Sequence, residues 1–231
     1  MNRYFVHLLL FLFIAPPAFS QNIRIQITAP KEFKGRKAIL LTREKGFAAI
    51  VHSIKLNSDI FNLEIASDLV PDLYQLHVSQ VKGSLFFFLE PGARIQLDTT
   101  DVSKSIVSNS KSNPEWKLFQ DSLQKPYDQR IIIYSEGEKR ARKERNADSL
   151  NYWVEKQAIE KENLVRKTGE YIADHTDSYV SLYLLKINWY AFKNDKLFER
   201  LDKTLAGHRT YKFLEDKNRK TEKAGTLGQH L

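Results

Sequence analysis

From Asn22 onward apolar side chains fall on every second position: Ile23, Ile25 and Ile27 alternate with Arg24, Gln26 and Thr28, which gives a strand one buried face. The same texture predicts strands over 36–43, around Ala38-Ile39-Leu40-Leu41, and over 47–54, around Ala49-Ile50-Val51. It recurs over 59–65, where Phe61, Leu63 and Ile65 alternate with Asn62 and Glu64. Gly35, Gly46 and Asn57-Ser58 separate these segments as turns. Tyr74, Leu76 and Val78 mark another strand against Gln75, His77 and Ser79, and Ile95 and Leu97 close the series. Between the last two, Ser84 to Gly92 reads Ser-Leu-Phe-Phe-Phe-Leu-Glu-Pro-Gly, an unbroken apolar run stopped by a Pro-Gly turn. That run predicts a buried strand at the middle of a sheet. About seven strands within roughly 80 residues leave no room for crossover helices, so the expected architecture is antiparallel, a β-sandwich or a partly open barrel.

At Asn113-Pro114 the period changes. Pro114 suits a first helical turn, and Trp116, Phe119 and Leu123 recur at helical spacing until Pro126, which is expected to end or kink the helix. Residues 136–170 carry nine basic and eight acidic side chains, a balance that predicts one long solvated helix. Its packing stripe is narrow: Leu150, Val154, Ala158, Val165 and Ile172, widened by Trp153, Leu164 and Tyr171. Thr176-Asp177-Ser178 offers capping oxygens to a helix over 179–192 that is apolar nearly all round and therefore central to the second half. A short helix with Phe198, Leu201 and Leu205 follows the cap Asn194-Asp195, and another starts near Thr210 with Tyr211 and Leu214. Beyond Lys217 the apolar period lapses, and the tail is expected to be poorly ordered. The fold class is thus α+β, with an antiparallel β domain over 21–112, a helical domain over 113–216 and a polar tail or linker remnant over 217–231.

The first 20 residues add an address. Arg3, an apolar run from Phe5 to Ala15 broken only by His7, and Ala18-Phe19-Ser20 have the layout of a signal peptide cut after Ser20. The run is shorter than the roughly 20 apolar residues that span a bilayer. The expected location is the periplasm or cell envelope, with no transmembrane span in the mature chain. The formal charge of +8 is dispersed, with 12 basic and 9 acidic residues over 21–113, so no stripe forms that would track a phosphate backbone, and nucleic acid is not an expected partner. The absence of cysteine excludes disulfides, thiolate zinc sites and thiol chemistry by this chain.

Candidate chemistry is sparse. His52, His77, His175, His208 and His230 form no pair at metal-ligand spacing, and Asp98-Thr99-Thr100-Asp101 lacks the glycine and distal glutamate of a calcium loop. Ser84 is not set in a Gly-x-Ser-x-Gly elbow and no glycine-rich phosphate loop occurs, so no catalytic, metal or cofactor residue is predicted. The candidate site is aromatic: Trp153, Trp189 and Tyr190, together with Phe192 and Trp116, as the lining of a ligand cleft between the two halves. The competing reading of those rings is plain core.

Leu89-Glu90-Pro91-Gly92 followed by Ile95-Gln96-Leu97-Asp98, the strand series, the leader and Ser178-Tyr179-Val180-Ser181-Leu182-Tyr183-Leu184-Leu185 together resemble the N-terminal portion of the TlpA-like (AhpC/TSA-type) thiol-disulfide oxidoreductases of the bacterial envelope. The resemblance covers about residues 22–225. In that family a β-rich domain of unknown function and a helical segment precede a thioredoxin-like domain with a Cys-x-x-Cys motif. Where the family usually has a Gly-Ser pair after a valine, this chain has Asn109, which tolerates the same left-handed turn. The thioredoxin-like domain would begin about where this sequence stops, and without cysteine none of the family's catalytic residues carries over. The resemblance implies a non-catalytic binding or scaffold module that recruits a partner, such as a separate thioredoxin-like or other envelope protein. The front fragment of a split or truncated disulfide reductase and a glycan- or peptide-binding module are the alternatives.

Overall fold

The computed structural model describes residues 22–42, 48–66 and 71–228; the expected leader, the Gly46 turn and His230 lie outside them. The chain is α+β. Eight strands come first among the described residues: β1 (Asn22–Thr28), β2 (Lys37–Thr42), β3 (Ala49–Lys55), β4 (Ile60–Ala66), β5 (Asp72–Val78), β6 (Leu85–Leu89), β7 (Arg94–Gln96) and β8 (Ile106–Ser108). They build two four-stranded sheets, ordered β4-β1-β7-β8 and β3-β2-β5-β6. The period-two positions point inward. Ile25, Ile27, Leu63 and Ile95 from the first sheet meet Leu40, Tyr74, Leu76 and Phe87 from the second in one apolar core, so the sheets lie face to face and no barrel closes.

Three features differ from the sequence expectation. β1 and β7 pair in parallel, through Gln26↔Arg94, Ile27↔Ile95 and Thr28↔Gln96. Parallel neighbours need a long connection, and here the chain makes it by passing through the opposite sheet instead of through a helix. β8 had no forecast, because three residues are too few to show a period. β6 is an edge strand, not a central one. One of its faces packs in the sandwich core and the other, at Phe88, is covered by helices, a neighbour that a hydrophobic run does not distinguish from another strand.

The helical half comprises α1 (Ser112–Phe119), a π-helical turn (Gln120–Gln124), α2 (Lys125–Glu144), α3 (Ala147–Asp174), α4 (Tyr179–Ile187), α5 (Trp189–Phe192), α6 (Leu197–Arg200) and α7 (Arg209–Gly228). Pro126 occupies the first turn of α2, directly after the π turn, where its missing N–H costs least. The one long helix expected over 136–170 is instead a hairpin of α2 and α3. Arg145 takes a left-handed conformation (φ 54°), and Asn146 caps α3 by accepting from Ser149 N at 2.9 Å. The N-terminal part of the proposed stripe faces water, Val154 being 46% exposed, whereas Val165 and Ile172 join the core. Ser178 caps α4 as expected, accepting from Val180 N at 2.9 Å. The cap of α6 is Lys196 in a left-handed conformation, not Asn194-Asp195. α7 continues past Lys217, where i,i+4 pairs such as Asp216 with Lys220 replace the lost apolar period.

A second apolar core joins the halves. It gathers Phe88, Trp116, Phe119, Ile172, Val180, Leu185, Trp189 and Tyr211, with Leu73 packed against it. Phe88 and Leu73 face each other in the β5–β6 register, on the side of the sheet opposite the sandwich core. The polar seam lies beside them. Glu90, 7% exposed, accepts hydrogen bonds from the Ser110 hydroxyl, from Ser112 Oγ at 2.7 Å and from Ser112 N at 3.2 Å. Asn113 donates its side-chain amide to Phe88 O at 2.7 Å and accepts from Phe88 N at 2.8 Å, pairing with β6 as a strand residue would. Asn109 adopts φ 56° and donates to Gly92 O at 2.7 Å, the left-handed turn its residue type permits. Replacing Glu90 by alanine strands these buried donors, so Glu90→Ala is expected to lower stability by about 2–3 kcal/mol and Glu90→Gln by less, as read by urea unfolding. Equal stability of Glu90→Ala and the parent chain would show that the seam does not hold the halves together.

Candidate functional site

Alternation along β6 sends Leu85, Phe87 and Leu89 into the sandwich core and turns Phe86 and Phe88 outward, toward the helices. Phe88 is sealed by the rings of Trp116 and Tyr183, both edge-on at centroid distances of 5.9 and 5.8 Å. Phe86 is not sealed. It remains 44% exposed on the floor of two adjoining hollows of about 520 and 390 Å³, which share Phe86, Trp116 and Gln120. The larger is bounded by Ser105, Ile106 and Val107 on one lip and by Asn113, Lys117 and Asp121 on the other; the smaller extends past Gln75 to Leu41 and Tyr183. Their sizes fall in the roughly 300–1,000 Å³ range of small-ligand sites. Gln120 opens the π-helical turn at the groove's lip, an irregularity that recurs at functional sites.

The lining is aromatic with a basic rim. Lys104, Lys117 and Lys125 stand against Asp121, whose carboxylate is hydrogen-bonded by Lys117 and Lys125. Those two bonds, that of Lys117 first, hold the Asp121 carboxyl below the ordinary carboxylate range.

The aromatic candidates read from sequence separate. Trp153 on α3 lies flat over Gly137 of α2, where any Cβ would collide with its ring, and its aromatic neighbours are Tyr134 and Tyr152. Trp189 is buried in the second core. Tyr190 is 79% exposed and carries the Lys217 ammonium 5.5 Å above its ring. Phe192 packs in the second core beside Gly169. Of the five, Trp116 alone lines the two hollows. Phe86 carried no signal of its own, because three successive phenylalanines do not reveal which one a helix will leave uncovered.

A second cluster of ionisable groups lies where β5, α4 and α7 meet. Lys186 Nζ pairs with Asp72 Oδ2 at 2.7 Å, with side chains 13% and 5% exposed, and Asp72 Oδ1 accepts from Leu73 N at 2.8 Å. His208 Nε2 lies 2.7 Å from Pro71 O, and its Nδ1 accepts from Thr210 N at 3.1 Å. Those two bonds assign the neutral Nε2–H tautomer. Burial, the largest influence, pushes the imidazole below its ordinary 6.5, opposed by the Pro71 carbonyl and by Asp72. The cluster is closed and every polar atom named in it has a partner, so it docks α4 and α7 onto the sheet and offers no opening to a ligand. Among the described residues no helix is long and apolar enough to cross a membrane. No protein-family model matches the chain, and no curated protein or solved structure matches it either.

A histidine held neutral by the fold binds its proton more readily when unfolded. Its contribution is therefore complete above about pH 6.5 and declines as pH falls below that value. Unfolding followed from pH 8 to 5 should show this decline, and His208→Gln, which keeps a donor for Pro71 but does not titrate, should flatten it; parallel slopes would exclude His208 as the cause. Trp153→Ala should cost about 2 kcal/mol by opening the α2–α3 contact, with no effect on ligands of the groove. Loss of groove binding in that variant or in Tyr190→Ala would return those rings to the site.

Proposed function

We propose that this chain is a non-catalytic binding or scaffold module of the cell envelope, and that its ligand site is the groove along β6. The observation that carries this reading is Phe86: a large apolar ring, 44% exposed, on the floor of a groove shared with Trp116 and rimmed by lysines. An aromatic floor with a few convergent polar groups is the usual make-up of a recognition site. Envelope location rests on the signal-peptide pattern of residues 1–20. A recruiting role rests on the resemblance to the N-terminal region of TlpA-like oxidoreductases, which makes a thioredoxin-like envelope protein a natural partner.

The cysteine-free chain makes the test clean. A single Gln120→Cys substitution labelled with an environment-sensitive dye reports only on the groove, and a Lys139→Cys label on α2 serves as the control. Titration with envelope proteins, peptides and oligosaccharides should give a saturable emission change at position 120 and none at 139. A ligand that moves the label at 139 while leaving 120 silent would place the site on the hairpin and defeat the proposal.

A further inference from the structure

We propose, on the basis of the groove reading above, that its occupant is an extended acidic peptide segment of a partner protein, which pairs with the open edge of β6 at Phe86. β6 pairs with β5 on one side only. In an antiparallel pair, successive residues direct their N–H and C=O alternately toward the partner strand and away from it. Phe88 directs both groups away from β5, because Asn113 takes them. Two residues earlier, Phe86 must direct its N–H and C=O the same way, into the larger hollow. Asn113 thus closes one position of the edge with a side-chain amide, a copy of a peptide group, and the adjoining position is open to a real one.

The remaining chemistry selects the peptide. Residues of a strand alternate faces, so a peptide seated at this edge lays every second side chain over Phe86 and Trp116. Three lysines, 104, 117 and 125, against Asp121 give the groove a net charge of +2, and the smaller hollow adds no charged side chain. Asp98 and Asp101 act on Lys104 from behind the lip, and neither lines the hollow. An acidic strand therefore enters a groove whose rim is net positive, with Lys104 on one lip and Lys117 and Lys125 on the other.

The test uses the full chain and calorimetry with four probes: acetyl-Glu-Leu-Glu-Phe-Glu-Leu-Glu-amide, the same peptide with lysine for glutamate, and two forms of the first N-methylated at alternate amides in opposite registers. The acidic peptide should bind and the lysine peptide should not. One methylation register should weaken binding by about tenfold or more, as loss of edge hydrogen bonds requires, and the other should be tolerated. Lys104→Glu and Lys117→Glu, with unchanged circular dichroism, should weaken the acidic peptide and admit the lysine one. Equal binding of both charges, indifference to both methylation registers, or binding of maltohexaose in place of any peptide would overturn the proposal. Each of those results leaves the groove reading to the label at position 120, which responds to any occupant.

Discussion

The buried carboxylate of Glu90 fixes the relation between the two halves. A charge at 7% exposure is tolerated only if its lone pairs are filled, and the donors come from Ser110 and Ser112, at the entry to α1. The start of the helix is therefore tied to the end of β6. From that point geometry leaves little choice: Asn113 falls beside Phe88, and one turn on, Trp116 covers the ring of Phe88 and stacks on Phe119 at 5.7 Å. The groove follows from the same tie. A helix anchored at the C-terminal end of a five-residue strand seals the residue nearest the anchor and leaves the opposite end, with Phe86, uncovered.

β6 serves two cores. Phe87 and Leu89 pack between the sheets while Phe88 packs under the helices, so the strand cannot shift by one residue without moving a ring from each core to the other. The Asp72–Lys186 pair repeats this logic on β5. A buried ion pair is weak evidence of net stability, since desolvating both charges offsets much of their attraction. What it supplies is position: only one placement of α4 on the sheet avoids leaving either charge alone. His208 adds a neutral tie from the start of α7 to Pro71.

Much of this was legible in the residues. Alternation, short apolar clusters between turns and the unbroken run at Leu85–Leu89 together locate seven of the eight strands, and Asn113-Pro114 marks the change to helices at the place where α1 begins. The losses share a cause: a local pattern reports that a face is buried without reporting what buries it. Ser84 to Gly92 is apolar on both faces, a pattern that points to a central strand, yet one of its two covers is a helix. Charge balance over 136–170 described a solvated surface correctly and was silent about Asn146, a single capping residue that divides it into two antiparallel helices. Of the rings that helical spacing groups together, Trp116 borders the groove and lies near the visible change of period. The rings assigned with it by helical spacing alone, Trp153 and Trp189, are packing residues.

An apolar strand at a sheet edge is a hazard, because its free backbone groups recruit any extended chain. Proteins blunt such edges with charges, bulges or covering elements, and β6 shows two of these devices in a graded order. At Phe88 the edge is closed by a side-chain amide and roofed by aromatic rings. At Phe86 the roof is missing and the nearest protection is a ring of lysines at the rim. Lysines repel a basic strand and attract an acidic one, so at this position the edge is filtered by charge instead of being shut. The helix that begins at Ser112 does not stop there but runs on through the π turn, whose first residue, Gln120, borders both hollows beside Phe86.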